Sequence, residues 1–317
     1  MVANKKTPGT LIAAVRYFDR DTATAYVASI KWPDGPVCPK CGSVNVGHIK
    51  SRNRRQCREK GCRRQFSVTT DTIMESTHLK LDQWVVAVWM IINCRNGVSS
   101  CEIVRTIGCK QQSAWHLLHR VRHVLQAVEP DQMGQRGAVC EADWTYVGGL
   151  VPNMTHKRRE KARAKKNYGK TVVHAIRERR TGRVRASVIE SARRAQIRQQ
   201  LRENVAPNAR LYTDSAPVYK GWSRWEYRHE SVNHESGQYV DGTVHTNGCE
   251  NFFNCLRRGL KGTYVRPSPE HLGAYVDEAV FRFNVRHDSE WERFDAAMRL
   301  IVGKRLTYSE LTGGAKR

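Results

Sequence analysis

The chain has 317 residues, enough for one large core plus smaller modules, and 54 Lys+Arg against 30 Asp+Glu leave a formal charge of +24. Such an excess points to a polyanionic partner, nucleic acid first and an anionic membrane surface second. No run approaches the roughly 20 apolar residues of a spanning helix, and Met1–Lys6 lacks the apolar core of a signal peptide, so a cytoplasmic protein without membrane contact is expected.

Residues 1–36 read as a helical lead-in, with Leu11, Ile12, Val15, Phe18, Tyr26, Val27 and Ile30 at helical spacing and a turn at Trp32-Pro33-Asp34-Gly35-Pro36. Residues 37–70 carry two knuckles, Cys38/Cys41 and Cys57/Cys62, with 15 residues between them. Four thiolates so spaced can hold one structural Zn²⁺ tetrahedrally, and the glycine after Cys41 allows the backbone to turn its amides toward sulfur. The remaining six of the ten cysteines are scattered through apolar or helical segments, as reduced thiols usually are. Arg52, Arg54, Arg55, Arg63 and Arg64 make this ribbon a candidate DNA contact.

Residues 71–127 predict a helix-turn-helix domain. Leu81, Trp84, Val85, Val88, Trp89 and Ile92 form an unbroken amphipathic stripe, Ser99 or Ser100 caps a short helix ending near Ile107, and a third helix begins at Ser113. The start of that helix offers Gln112, and its polar face His116, Arg120 and His123, as groove-reading side chains; a bundle that only packs is the alternative. Residues 128–137 read as a linker.

Residues 138–290 read as strand, basic loop, two antiparallel strands, helix, strand and later helices, a pattern suited to a mixed sheet of the RNase H type. Lys157, Arg158, Arg159, Lys165 and Lys166 belong to the basic loop and could neutralise phosphates. A helix is expected over Val218–Trp222, and residues 291–317 as a C-terminal tail. Two aspartates end strand-like runs, Asp143 and Asp214, and Glu250 follows Asp214 with 35 residues between. Wound as a helix, residues 245–261 put Asn247, Glu250, Asn254 and Arg257 on one face and Phe252, Phe253, Leu256 and Leu260 on the other. If the three acids converge, their hard oxygens can hold two Mg²⁺ or Mn²⁺ ions about 3.5–4 Å apart, with Arg257 holding a phosphate and Asn247 or His245 assisting. Singly, each acid has a plainer role: Asp143 as an exposed strand end, Asp214 as a helix cap, Glu250 as the partner of Arg257 or Arg258. Glu141 is the nearest rival ligand, because on the same strand it shares a face with Asp143.

The order of zinc ribbon, helix-turn-helix, Asp143-Trp144-Thr145-Tyr146-Val147-Gly148-Gly149, Tyr212-Thr213-Asp214 and His245-Thr246-Asn247-Gly248-Cys249-Glu250-Asn251-Phe252-Phe253 resembles bacterial insertion-sequence transposases of the ISXO type. The likeness continues through Leu256–Tyr264 and Tyr275–Arg286. It implies a multidomain α+β chain with an RNase H-like catalytic domain, and Mg²⁺-dependent cleavage of double-stranded DNA at terminal inverted repeats. Joining of 3′-hydroxyl ends to target DNA follows, by a homodimer on DNA associated with the nucleoid. The resemblance maps catalytic acids onto Asp143 and Asp214. For the third position members differ between an Asn at 247 and a Glu at 250; Glu250 is favoured because a carboxylate binds Mg²⁺ more strongly than an amide. Two positions depart from the pattern: Trp144 where Glu is usual, and Arg257 where Lys is usual. The competing expectations are a domesticated repeat-binding protein that does not cut and a host nuclease on the same core.

Overall fold

The computed structural model describes residues 7–126, 131–148, 156, 159–160, 170–220, 226–232, 240, 242–265 and 267–313. In chain order they form α1 (Leu11–Tyr17), α2 (Arg20–Lys31), β1 (Val46–Ile49), β2 (Arg54–Cys57), β3 (Gln65–Phe66), α3 (Leu81–Asn93), α4 (Ser100–Ile107) and α5 (Gln111–Leu125). Then come β4 (Val139–Val147), β5 (Thr171–Glu178), β6 (Val184–Ile189), α6 (Arg194–Asn204), β7 (Arg210–Asp214) and β8 (Arg228–Val232). The last are α7 (Asn247–Arg258), α8 (Leu272–Asn284), α9 (Glu290–Arg299) and α10 (Tyr308–Thr312). Two compact units result, one of Met1–Leu125 with Arg286–Arg317 and one of Gln126–Val285.

In the first unit, helices begin where side chains satisfy otherwise free amides. Thr10 accepts from the Ala13 N–H, Asp19 from those of Asp21 and Thr22, and Ser99 with Glu102 closes a reciprocal capping box at α4. α4 stops at Gly108, whose φ of 69° is the left-handed conformation a helix end favours. α5 starts at Gln111, two residues earlier than Ser113 suggested. β1, β2 and β3 make a three-stranded antiparallel sheet.

The segment from 291, expected as a tail, is instead integral to this unit. α9 opens on a Ser289/Glu292 capping box and buries Phe294, Ala297 and Met298. The Phe294 ring lies 5.2 Å from that of Trp89 on α3. An apolar stripe of that kind is stable only when covered, and α3 covers it.

The second unit is built on a mixed sheet in the order β6-β5-β4-β7-β8, with β4, β5 and β6 antiparallel in sequence and β7 parallel to both β4 and β8. Gly182, at φ 71°, turns β5 into β6. β8 has no counterpart among the expected strands, and of the helix expected over Val218–Trp222 the described residues 218–220 lie in and just after a 3₁₀ turn, Pro217–Tyr219, while 221 and 222 lie outside the described residues. Apolar side chains cover both sheet faces. Ile197 and Leu201 of α6 pack on one, and Phe252, Phe253 and Leu256 of α7 with Val276, Val280 and Phe283 of α8 fill the other. β4 alternates between them: Cys140 and Ala142 enter the α6-side core, while Glu141 and Thr145 reach α7. The chain is therefore the multidomain α+β protein with a mixed sheet that its sequence pattern implies.

Candidate acidic site and zinc ribbon

Asp143 lies in the middle of β4 and Asp214 at the end of β7. The two strands run parallel with Glu141 beside Tyr212, so continuing the register by two residues sets Asp143 beside Asp214. Glu250 is in the first turn of α7. All three are partly exposed. Burial pushes the Asp143 carboxyl up to about 7; the Trp144 N–H opposes this, Asp214 and Glu250 add to it, and Arg257 opposes it. The three acids and Arg257 thus share one electrostatic field. Asp214 also accepts the Ala216 N–H at 3.2 Å, so it caps the turn after β7 while facing the other acids.

Arg257 pairs with Thr145 and Asn254, not with Glu250: Nη2 donates to Thr145 Oγ1 at 2.6 Å and Nη1 to Asn254 Oδ1 at 3.2 Å. A groove of about 730 Å³ beside it is lined by Asn251, Asn254, Arg257, Arg258 and Lys261. Asn247 is exposed at the first position of α7, one turn before Glu250. Trp144 packs against the α6-side core, on the face away from Asp143, so its bulk stays out of the site.

Glu141 is not free to act as a metal ligand. It is fully buried, with Oε1 accepting from Arg179 Nε at 2.7 Å and Arg177 Nη1 at 3.4 Å. Its Oε2 accepts the Gly248 N–H at 2.7 Å and the Cys249 N–H at 3.3 Å. His245 Nδ1 is 3.7 Å from the same carboxylate, which places His245 against Glu141.

Among the described residues, the group whose ligand atoms all approach within 4.8 Å of one another is Cys38, Cys41, Cys57 and Cys62. The Sγ atoms of Cys38 and Cys62 are 3.6 Å apart and those of Cys41 and Cys57 3.5 Å. A tetrahedron with Zn–S of about 2.3 Å has edges of about 3.8 Å, so the thiols fit one Zn²⁺. Gly42 at φ 72° and Arg63 at φ 48° make the tight turns after each knuckle. Asp143, Asp214 and Glu250 do not form such a group among the described residues.

Arg52, Arg54, Arg63 and Arg64 are exposed on the ribbon and Arg55 partly so. Gln112, His116, Arg120 and His123 do share one face of α5, but the end of the same unit covers much of it. Arg120 is only 6% exposed and donates to the carbonyls of Ile73, Glu75 and Leu306. Gln112 donates to Tyr308 Oη, the His116 ring meets the Tyr308 ring edge-on at 5.4 Å, and Lys304 donates to the Val124 carbonyl beside His123. The reading of this whole face as groove-facing is corrected for Arg120, whose guanidinium is spent on buried carbonyls; Lys110 to Ser113 stay exposed at the helix start. Arg159 is partly exposed. Lys157, Arg158, Lys165 and Lys166 lie outside the described residues.

A four-cysteine ribbon joined to an acid-bearing mixed sheet defines a transposase-like class of α+β protein, and comparison with known proteins agrees. Residues 136–284 match the ISXO2-like transposase domain and residues 19–65 the transposase zinc-ribbon domain. The chain belongs to this transposase family. It is 26% identical over 249 residues to an uncharacterized protein in transposable element ISH50 of Halobacterium salinarum, covering 75% of this chain and 82% of that one. It is 31% identical over 97 residues to an uncharacterized transposase-like protein of Haemophilus influenzae, covering 31% of this chain and 77% of that one. A chain from the cryoEM structure of a simian T-cell lymphotropic virus intasome in complex with PP2A regulatory subunit B56 gamma matches at 13% identity and a TM-score of 0.29. That match covers 60% of this chain and 62% of that chain, less than two thirds of its length, and is too weak to carry any argument.

Proposed function

We propose that this chain is an active DNA transposase that binds the terminal inverted repeats of its element, cleaves at the ends and joins the 3′-hydroxyls to target DNA. The observation that carries the reading is the match of residues 136–284 to the ISXO2-like transposase domain, and the influence of Asp214, Glu250 and Arg257 on the Asp143 carboxyl supports it. Three carboxylates from β4, β7 and α7 are a hard-oxygen donor set suited to Mg²⁺ or Mn²⁺, and mutual repulsion, felt at Asp143, is relieved when cations are bound. Two such ions, when present, would activate a water or 3′-hydroxyl and stabilise the leaving oxygen.

The protein's own groups do the rest. Arg257, held by Thr145 and Asn254, presents its guanidinium to a phosphate beside the acids. Arg258 and Lys261 extend that positive edge along the groove. The arginines of the ribbon, exposed at Arg52, Arg54, Arg63 and Arg64 and partly so at Arg55, supply phosphate contacts for end binding, and Lys110 to Gln112 at the exposed start of α5 contribute to it. Glu250 serves as the third ligand, and Asn247, exposed one turn earlier, contacts the scissile strand. Because two ends must be brought together, the working form is a homodimer on DNA in the cytoplasm.

The test is an assay of the purified protein with Mg²⁺ on DNA carrying the inverted repeats flanking its gene, alongside Glu250→Gln and Asn247→Ala. Wild type should cleave and join while Glu250→Gln binds the repeats without cutting. Tight binding with no cleavage in Mg²⁺ or Mn²⁺ would replace this reading with that of a repeat-binding protein. Cleavage without joining would replace it with a nuclease.

A further inference from the structure

We propose that Glu141 and Gly248 form the positioning contact that sets Glu250 against Asp143 and Asp214. The inference rests on the metal-site reading above and names residues outside the ligand set.

Helix α7 begins without local help. Its N-cap residue, Thr246, makes no side-chain capping bond, so the first amides would be left without partners. The Glu141 carboxylate provides them from the sheet, accepting from Gly248 and Cys249, and an anion at this helix end is further favoured by the helix dipole. A buried carboxylate is costly unless neutralised and hydrogen-bonded. β5 meets that cost: Arg177 lies opposite Glu141 in the β4–β5 register, and Arg179 follows two residues on.

Arg179 ties down the approach to the helix as well. Its Nη1 donates to the Thr243 carbonyl at 2.6 Å and Nη2 to that of His245 at 2.9 Å, and its guanidinium sits 4.8 Å from the centre of the Tyr212 ring. One side chain therefore joins Glu141, the segment entering α7 and the strand that ends in Asp214. The contact leaves no room for a larger residue at 248. A Cβ there would fall 2.3 Å from Arg177 Nη1 and 2.5 Å from Glu141 Oε2. A side chain at 248 would therefore have to displace the Arg177 guanidinium and the Glu141 carboxylate from the helix start, disturbing this contact.

The geometry has a direct consequence for the acids. Glu141 and Asp143 are two residues apart on one face of β4, and Gly248 and Glu250 two apart in the first turn of α7. The strand carrying one acid thus holds the helix carrying another. Displacing this contact shifts Glu250 relative to Asp143 while leaving all three carboxylates in the protein.

The test measures Mn²⁺ binding to the full-length, zinc-loaded protein by the loss of the free Mn²⁺ electron-paramagnetic signal, for wild type, Glu141→Gln, Gly248→Ala and the double variant. Circular dichroism and zinc content verify folding. Each single variant should bind Mn²⁺ about 10–100-fold more weakly, the range seen when groups that orient metal ligands are removed. The double variant should be no worse than the weaker single, because both break one contact. If Glu141→Gln fails to fold, Gly248→Ala decides alone, since it leaves the buried charge in place. A folded Gly248→Ala with wild-type Mn²⁺ affinity overturns the proposal. So does loss of binding in Glu141→Gln alone, which would make Glu141 a ligand. Wild type that binds no Mn²⁺ removes the metal-site reading and the positioning role with it, whereas binding unchanged in every variant removes the positioning role only.

Discussion

Asp143 is strongly altered by its surroundings. Burial first, then the charges of Asp214 and Glu250, hold its carboxyl near 7, well above the ordinary range. A carboxyl raised on folding contributes stability that is fully present below its unfolded value and is lost as pH rises through the folded value. Without added Mg²⁺, thermal stability should therefore decline as pH climbs toward about 7, and Asp143→Asn should flatten that part of the profile, measured by calorimetry. Asp277, raised by burial to about 6, adds a slope of the same sign that the variant keeps. Because a divalent cation competes with the proton, Mg²⁺ should raise wild-type stability more at pH 8 than at pH 5. A profile that Asp143→Asn leaves unchanged would show that Asp143 does not titrate in this window. Cleavage by Asp143→Asn should fall by about 10²–10³-fold or more, the scale of losing one preorganised electrostatic group, with repeat binding retained.

At the scale of the element, α5 shows how helical periodicity can be right about a face and wrong about what it faces. His116, Arg120 and His123 do share one side, as steps of four and three require. That side meets residues 304–308, far away in sequence, and Arg120 satisfies three backbone carbonyls there. Arg120→Ala should therefore destabilise the unit itself, by about 2 kcal/mol or more, because buried carbonyls lose a charged donor. Arg54→Ala, on the exposed ribbon, should leave stability unchanged and lower the salt dependence of DNA binding by about one unit of slope. Chemical denaturation read beside a salt titration separates the two. Equal stability loss in both variants, or none in Arg120→Ala, would contradict this division.

For the molecule as a whole, the charge of +24 and the four-cysteine ribbon belong to one strategy. The ribbon's small core of Cys38, Cys57 and Phe66, with Trp32, Val46 and Cys62 against it, is too slight to order so many arginines by packing. A Zn²⁺ held by the four cysteines would supply the missing free energy. Replacing Cys38 and Cys41 together with serine should release one zinc per chain and weaken repeat binding by about tenfold or more, the lower bound for disrupting a metal-held unit. Metal analysis and a binding titration verify it; unchanged zinc content or unchanged binding would separate the ribbon from end recognition. Among the described residues no helix is long and apolar enough to cross a membrane.

Chemistry that depends on near neighbours was readable from the order of residues alone. The knuckle spacing, the amphipathic stripe of α3 and the strand-end position of Asp214 follow from local periodicity and covalent reach, whereas Asp143, expected at a strand end, lies in the middle of β4. What only the tertiary structure decided involves partners distant in sequence. Glu141 stood as a rival ligand to Asp143 because both share a face of β4, and nothing nearby in the chain reveals that Arg177, Arg179 and the start of α7 consume its oxygens. Thr246, a residue type that ordinarily caps a helix, gave no sign in the sequence that a remote acceptor serves that helix end instead. β8, whose burial shows no simple alternation, and the return of α9 to cover α3 were likewise settled by packing. A sequence specifies which groups need partners; the folded sheet and helices determine which partners they receive.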